Sequence, residues 1–322
     1  MSSWSIVNPR FQQEIWCSQF LDRHFYELIY KKHLGKISIQ SKDISDALKD
    51  ALSSVGSFIY RFNGGNMGDA LIGYSDLQTF DSMNLKYSIV SKQNKIKLLS
   101  EPFSLVYGGG GGWIDKYLEY GRKQAETYFK NKNLKKCVIL PSTFYKCDEI
   151  VNTFDERFVV FCRDYKSLEY CKSINTRAKF LFHDDLAFCG DISKLNLNNL
   201  CGITDRELIS KLHTFMLNNS RKCNLYRNDM EKTDIVLPKN NLDISEMRKK
   251  DGEDMTREYV HDITRVLLYV IDKFDEISTN RLHVAIASYR LSKRINLSDN
   301  SYGKVRNVYE SSMKDYPGTV FN

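Results

Sequence analysis

The chain has 322 residues, of which 42% are apolar and 12% aromatic, and it carries a formal net charge of +7. This apolar content is enough to build cores, which excludes a disordered chain, and the length suits two domains better than one. The basic residues are spread along the sequence, so they do not predict a nucleic-acid interface. An enzyme for anionic substrates, a weak attraction to an acidic membrane surface and an ordinary solvated surface all fit this charge.

The predicted elements begin with two helices, at residues 11–33 and 42–54, where apolar side chains recur at helical spacing. From residue 57 onward, short apolar runs alternate with amphipathic segments. The predicted strands are 57–62, 86–90, 103–107, 137–141, 157–163 and 178–182, and the predicted helices between them are 69–80, 115–131 and 164–174. This alternation predicts a parallel α/β sheet with ligand crevices at the carboxyl ends of its strands.

The region from about 184 to 220 is rich in Asn, Ser and Gly and weakly periodic. Beyond it the alternation resumes, with strands predicted at 222–227 and 294–299 and helices at 255–271, at 281–291 and from about 303. We therefore predict two Rossmann-like α/β domains that face a cleft, at residues 56–190 and 191–322. We expect residues 1–55 to form a helical extension packed on the first domain, because its apolar faces need burial; a dimer contact and membrane docking are the alternatives.

Two glycine-rich loops follow predicted strands. In R-F-N-G-G-N-M-G-D-A-L-I, Gly65 and Asn66 lie between a strand and a helix, where backbone N–H groups can face an anion. The spacing is neither that of a P-loop nor that of a dinucleotide fingerprint. Asp69 falls at the helix start, where it could equally be a cap. In the run of five glycines, we predict that Gly109 and Gly110 approach the ligand, the alternative being a flexible surface loop.

Cationic side chains stand at three further junctions between strands and helices. Arg163 ends a strand and could fork onto a phosphate or carboxylate, or else pair with Asp164 or Glu169 on the surface. Arg281 and His283 precede an apolar helical run, and a histidine placed there is an acid/base candidate. In S-D-N-S-Y-G-K-V-R, the predicted site residues are Asn300, Ser301 and Lys304. A cation in the first turn of a helix opposes the helix dipole, which indicates a bound anion there.

The sequence predicts no metal site, no signal peptide and no membrane span. None of the eight cysteines forms a C-x-x-C pair. His183, Asp184 and Asp185 are metal ligands by type, but successive strand residues point to opposite faces. The amino-terminal residues lack a basic start followed by an apolar stretch, and no run reaches about 18 apolar residues. We therefore expect a cytoplasmic protein.

Taken in order, these segments resemble the polysaccharide pyruvyl transferase family over residues 56 to 312; residues 1 to about 55 match nothing in it. The matching marks are N-G-G-N-M-G-D-A-L-I, Y-G-G-G-G-G-W, L-P-S-T-F, C-R-D-Y-K-S, H-D-D-L-A-F, N-L-Y-R-N-D-M-E-K, S-T-N-R-L-H-V-A-I-A and S-D-N-S-Y-G-K-V-R. The resemblance implies a cytoplasmic enzyme with a fold similar to GT-B glycosyltransferases. It also implies transfer of pyruvate from phosphoenolpyruvate onto sugar hydroxyls as a ketal.

By resemblance, Arg163, Arg281, His283 and Asp69 occupy the functional positions. Arg163, Arg281 and Lys304 would then hold the phosphoenolpyruvate, His283 would protonate its methylene carbon and Asp69 would take the hydroxyl proton. No cofactor or metal is expected beyond the co-substrate. The acceptor would be a sugar or a lipid-linked glycan, the latter placing the enzyme at the inner membrane face. The alternatives are a glycosyltransferase with a nucleotide-sugar donor and a non-catalytic glycan-binding protein. The oligomeric state stays open.

Overall fold

Seven parallel strands form the first sheet of the protein, which is described here by a computed structural model covering residues 39–322. The strands are β1 (Phe58–Arg61), β2 (Tyr87–Ile89), β3 (Phe103–Tyr107), β4 (Gly110–Ile114), β5 (Leu134–Tyr145), β6 (Phe158–Cys162) and β7 (Lys179–Phe182). Their order is β2-β1-β3-β5-β6-β7, and β4 pairs with the carboxyl-terminal part of β5. The strands are largely buried and apolar, as expected when helices cover both faces of a parallel sheet.

The helices of this half are α1 (Asp46–Ser54), α2 (Met67–Ser82), α3 (Lys95–Ser100), α4 (Leu118–Gln124), α5 (Asp148–Val151) and α6 (Tyr165–Ile174). A single turn of 3₁₀-helix precedes α4, and a π-helical segment, Ala125–Phe129, continues it. Helix α2 is buried along most of its length, because helices of the second half and the 3₁₀ turn Leu186–Phe188 pack against it. A helix surrounded in this way needs apolar side chains on more than one face.

Four parallel strands form the second sheet, in the order β11-β10-β9-β8. They are β8 (Lys222–Asn224), β9 (Glu276–Thr279), β10 (Arg294–Leu297) and β11 (Thr319–Phe321), and the helices are α7 (Arg206–Leu217), α8 (Arg257–Asp272), α9 (Leu282–Arg290) and α10 (Lys304–Ser312). Helix α8 packs on α2, so one hydrophobic core cluster runs through both halves and contains Leu71, Val266 and Leu267. Each of these three side chains is fully buried.

A short segment of the second half crosses to the first half. Gly65 and Lys250 exchange two backbone hydrogen bonds, of 2.8 and 2.9 Å, in an isolated antiparallel bridge. Three acidic residues just beyond this bridge pair with cations of the first half: Asp251 with Arg61, Glu253 with Lys95 and Asp254 with Lys92. We call residues 249–254 the crossing segment.

The predicted parallel α/β class is confirmed, and each of the six strands predicted in the first half overlaps an observed strand. The glycine run holds a strand, β4, that the sequence did not predict. The region 184–220 was judged weakly periodic, yet it contains α7, which Asp205 caps and which buries Leu208, Leu212 and Met216 at a spacing of four residues. The division at residue 190 and the GT-B-like arrangement stay predictions.

The predicted amino-terminal extension falls mostly outside the described residues, including its helix at 11–33. Its second helix is observed as α1, which Ser45 caps. The chain just before α1 contacts both halves, because the Gln40 backbone N–H donates to the Arg290 carbonyl and that of Ser45 donates to His183. Within residues 39–322, no helix has the length and apolar character needed to cross a bilayer.

The strand order places a crevice at a defined point of the first sheet. The chain runs from β1 outward to β2 and then returns to the other side of β1 as β3. Ligands bind parallel sheets outside the carboxyl ends of the strands where such a reversal occurs. The loops at this point are the two glycine-rich loops, at residues 63–66 after β1 and 108–112 around the start of β4.

Candidate functional site

A cavity of about 430 Å³ lies between the carboxyl ends of the two sheets. The first half contributes the loop after β1, the glycine run and Arg163 to its wall. The second half contributes residues of segments 227–231, 245–249 and 281–283, together with Lys304. The wall therefore combines the two glycine-rich loops with all three predicted junction cations.

The loop after β1 is fixed by a capping box at the start of α2. The Asn66 side-chain oxygen accepts from the Gly68 N–H, and the Asp69 carboxylate accepts from the Asn66 N–H, each at 2.8 Å. A Cβ atom on Gly65 would lie 2.0 Å from Asp69 Oδ2, so only glycine fits there. Burial raises the pKa of Asp69, although the neighbouring His283 opposes this shift. Asp69 is thus both the predicted cap and a residue of the cavity wall.

The glycine run is a buried strand start and not a flexible surface loop. The Gly109 carbonyl accepts from Asn63 Nδ2 at 3.1 Å, and a Cβ atom on Gly109 would lie 2.6 Å from the Pro141 carbonyl oxygen. Gly110 begins β4 with φ +139°, a conformation that side chains rarely adopt. Within the glycine run, Gly111 and Gly112 line the cavity, whereas the predicted Gly109 and Gly110 are not among its lining residues.

Arg163, at the end of β6, is fully buried and lines the cavity. Its Nε donates to Thr143 Oγ1 at 2.9 Å, and its Nη1 donates to Asp185 Oδ2 at 2.7 Å. Its Nη2 has no hydrogen-bond partner among the described residues, and a Cβ atom on Gly111 would lie 3.2 Å from it. Asp164, the neighbour considered as a partner for Arg163, instead caps α6.

His283 lies in the first turn of α9, against the first turn of α2. Its Nε2 is 3.4 Å from both Arg163 Nη1 and Asp185 Oδ2. A Cβ atom on Gly68 would lie 2.5 Å from His283 Nδ1, so the ring packs directly on this glycine. Burial tends to raise the pKa of Asp185, but the His283 hydrogen bond and the Arg163 charge outweigh it and hold this pKa below its usual range.

Arg281 also lines the cavity, but carboxylates surround its guanidinium. Nε and Nη2 both donate to Asp243, with Nε at 2.9 Å from Oδ1. Nη1 is 2.9 Å from Asp229 Oδ2, and Nη2 is 3.3 Å from Glu246 Oε1. Glu246 also accepts from Asn66 Nδ2 at 3.4 Å, which joins this cluster to the loop after β1.

Lys304 begins α10 and forms a second charged cluster with Glu231 and Arg227. Glu231 Oε2 lies 2.8 Å from Lys304 Nζ and 2.7 Å from Arg227 Nη1. Burial lowers the pKa of Lys304 to about 8, although Glu231 opposes this shift. Burial of Glu231 acts to raise its pKa, but Lys304 and Arg227 outweigh burial and lower it.

Asn300 and Ser301 are not among the lining residues. Asn300 is buried and supports the cluster, because its Nδ2 donates to Glu231 at 3.1 Å and its Oδ1 accepts from the Lys304 N–H at 2.8 Å. Ser301 is exposed, and its hydroxyl accepts from Lys116 Nζ at 3.1 Å.

Six charged wall or supporting residues were not predicted as site residues: Asp185, Arg227, Asp229, Glu231, Asp243 and Glu246. Four of them lie in sequence marks quoted above, H-D-D-L-A-F and N-L-Y-R-N-D-M-E-K, which signalled a site without assigning roles. Asp243 and Glu246 lie in no such mark. His183 is one of the three possible metal ligands at residues 183–185, but its role is structural. Its Nε2 accepts a hydrogen bond from the Ser45 N–H at 3.1 Å. Among residues 39–322, no cluster of three or more histidine, cysteine or carboxylate side chains could hold a metal ion.

Comparison with known proteins agrees with the sequence marks. The model of the polysaccharide pyruvyl transferase family matches residues 66–295. A crystal structure of a protein of uncharacterized function from Klebsiella pneumoniae subsp. pneumoniae NTUH-K2044 is similar, with a TM-score of 0.68 and 27% sequence identity. The similarity covers 86% of this chain and 96% of that one. A search of curated proteins gave no match.

Proposed function

Because the chain belongs to the polysaccharide pyruvyl transferase family, we propose that it transfers pyruvate from phosphoenolpyruvate to two hydroxyls of a sugar, forming a ketal. The sugar belongs to a surface polysaccharide or its precursor. One observation carries the proposal beyond the family: the Arg163 guanidinium is fully buried, and its Nη2 faces the cavity wall at Gly111 without a partner among residues 39–322. A buried donor of this kind needs an acceptor, and an anionic ligand supplies one.

Phosphoenolpyruvate carries a phosphate and a carboxylate on the same carbon, C2, so its site needs more than one cation. A Cβ atom on Gly111 would lie 3.2 Å from Arg163 Nη2 and 3.5 Å from Lys304 Nζ. One phosphate oxygen in this space can contact both cations, with the backbone of the glycine run beside it. The donor carboxylate then lies toward Arg281, whose own carboxylate partners fix its position.

His283 is the general acid in this proposal. It gives a proton to the methylene carbon of phosphoenolpyruvate, whose π electrons form the new C–H bond and leave C2 electrophilic. A sugar hydroxyl attacks C2 and loses its proton to Asp69, whose pKa is raised by burial. Phosphate then leaves with the C2–O bonding electrons and takes the proton from Asp69. A second hydroxyl attacks the same carbon to close the ketal and gives its proton to His283, which restores the acid. No cofactor or metal has a role in these steps.

The cavity has room for a second substrate. Its volume of about 430 Å³ exceeds that of a three-carbon phosphate ester, and ligand sites commonly span about 300–1,000 Å³. Away from Arg163, the wall carries Asn66, Tyr120, Ser245 and Glu246, a mixture of an aromatic face and hydrogen-bonding groups that suits a sugar. We propose that the sugar or lipid-linked acceptor binds there and that the reaction takes place in the cytoplasm.

The first test compares thermal unfolding with phosphoenolpyruvate and with a panel of nucleotide sugars. A ligand at 100 times its dissociation constant stabilises the folded state by about 2.7 kcal/mol, which raises the melting temperature. Stabilisation by phosphoenolpyruvate supports the proposal. Stabilisation by a nucleotide sugar alone would mean a glycosyltransferase.

The second test replaces the proposed acid. We expect His283→Ala to abolish pyruvyl transfer while the phosphoenolpyruvate-induced rise in melting temperature survives. His183→Ala is the matched control, because His183 is structural and is not among the lining residues. Near-normal turnover of the His283→Ala variant would show that another group supplies the proton.

A further inference from the structure

Asp185 is a buried carboxylate in contact with the two side chains that the proposed reaction needs most. Its side chain is fully buried, and it is not among the residues that line the cavity. Oδ2 accepts from Arg163 Nη1 at 2.7 Å and lies 3.4 Å from His283 Nε2. Oδ1 accepts from the Ala187 N–H at 2.9 Å, so the backbone fixes the carboxylate in this orientation.

The charges around His283 show why a carboxylate is needed there. Arg163 Nη1 is 3.4 Å from His283 Nε2, and arginine is always charged. A protonated imidazole at this distance from a guanidinium is repelled unless an anion lies between them. Asp185 contacts both His283 and Arg163. A second carboxylate, Asp69 on α2, also faces His283. A further cation, Lys304 of α10, lies near Asp69 and Arg163. Asp185 stays ionised in this setting, because its pKa is held below its usual range.

We propose that Asp185 is a positioning residue that fixes the His283 ring beside Arg163 with a proton on Nε2, by accepting a hydrogen bond from His283 Nε2–H. This inference rests on the proposed function. Nε2 could instead accept from Arg163, but the negative charge of Asp185 favours donation. The Nε2 proton then stays in place, and the proton that moves to the substrate is carried by Nδ1. That nitrogen lies against Gly68, where the absence of a side chain leaves the space that the imidazole ring occupies.

The test compares Asp185→Asn with Asp184→Asn. Asp184 loses the same charge one residue away, but its partners are Lys42 and Ser312, outside the cavity. We expect Asp185→Asn to lower turnover at least tenfold at pH 8 and to regain most of it at pH 6, where protons are more available. Its affinity for phosphoenolpyruvate should be unchanged or tighter, because a negative charge beside Arg163 is gone. Asp184→Asn should match the wild type at both pH values.

Two results would overturn the inference. If Asp185 is merely structural, Asp185→Asn weakens phosphoenolpyruvate binding and turnover together at every pH. Wild-type behaviour of Asp185→Asn would overturn it equally. If the wild type neither binds phosphoenolpyruvate nor transfers pyruvate, the proposed function fails instead.

A second measurement needs neither activity nor a stable Asp185 variant. Nitrogen NMR of wild-type protein with ¹⁵N-labelled histidine reports which ring nitrogen carries the proton, and the chain has only 6 histidines. The His283 signal is assigned as the one missing from His283→Ala. We expect Nε2 to stay protonated from pH 6 to pH 9. A neutral ring protonated at Nδ1 alone would overturn the inference even if Asp185→Asn fails to fold.

Discussion

The two walls of the cavity each present a buried arginine, but the two arginines differ in what surrounds them. Arg163, on the wall from the first sheet, has two side-chain acceptors and one nitrogen without a partner among residues 39–322. Arg281, on the wall from the second sheet, is held by three carboxylates. The same residue type at the end of a parallel strand can therefore offer hydrogen bonds to a ligand or hold protein segments together.

The difference has an energetic consequence. A buried ion pair gains little over apolar packing, but removing one partner is costly because the other charge is left unpaired. Arg281 connects segments that are distant in sequence, through Asp229 on one side and Asp243 and Glu246 on the other. Its three carboxylates weaken the attraction of the second wall for an anion, so this wall is the less favourable one for a doubly charged phosphate. On the first wall, Arg163 Nη2 has no partner among residues 39–322, so the proposed phosphate position lies there.

The largest expected effect comes from replacing each arginine by lysine. In Arg163→Lys the ammonium cannot reproduce the free Nη2 donor, and a hydrogen bond to a charged group contributes about 1.5–3 kcal/mol. We expect phosphoenolpyruvate to bind roughly 10- to 150-fold more weakly, measured by calorimetry.

In Arg281→Lys the main loss should be in stability, by about 1–3 kcal/mol in urea unfolding, because the partly buried carboxylates of Asp229, Asp243 and Glu246 lose donors. The binding loss should be smaller than in Arg163→Lys. If the two variants change binding and stability in the same proportion, the distinction between the walls is wrong.

The next largest effect is the pH dependence of phosphoenolpyruvate binding, which tests the role of Lys304. Burial lowers the pKa of this ammonium from 10.5 to about 8, so its positive charge is lost as the pH rises through 8. The phosphate of phosphoenolpyruvate is already ionised at pH 7. Linkage then predicts an affinity about tenfold weaker at pH 9 than at pH 7. The side chain of the Lys304→Arg variant stays charged over this range, so the affinity of this variant for phosphoenolpyruvate should change little. An equal loss of affinity in the variant and the wild type would show that another group titrates.

The smallest effect comes from adding one methyl group to either of two adjacent glycines. In Gly111→Ala the new Cβ lies 3.2 Å from Arg163 Nη2 and 3.5 Å from Lys304 Nζ, in the space assigned to phosphate. In Gly112→Ala the nearest atom, Asn63 Oδ1, is at an ordinary contact distance of 3.4 Å. We expect Gly111→Ala to weaken phosphoenolpyruvate binding several-fold and Gly112→Ala to leave it unchanged, at similar melting temperatures. Equal affinities would exclude this space as the phosphate position.

Local sequence patterns predicted the fold class because most strands are short apolar runs between amphipathic segments. They failed for β4, whose first three residues are glycines with no side chains to form a pattern; its pairing with β5 is a tertiary contact. The ends of strands identified Arg163, Arg281, His283 and Lys304. The acidic partners were missed, because Asp243 and Glu246 reach Arg281 only through a long loop and Asp185 becomes a partner of His283 only when both halves are folded together.

The crossing segment has a mechanical consequence for the cavity. Moving the halves apart would break both backbone hydrogen bonds between Gly65 and Lys250, as well as the ion pairs of Asp251, Glu253 and Asp254. Gly65 is also the residue beside the Asp69 carboxylate, so a hinge motion there would disturb the capping box and the cavity wall at once. The segment acts as a brace on one side of the cavity. We therefore expect the width between the cavity walls to change little when a ligand binds.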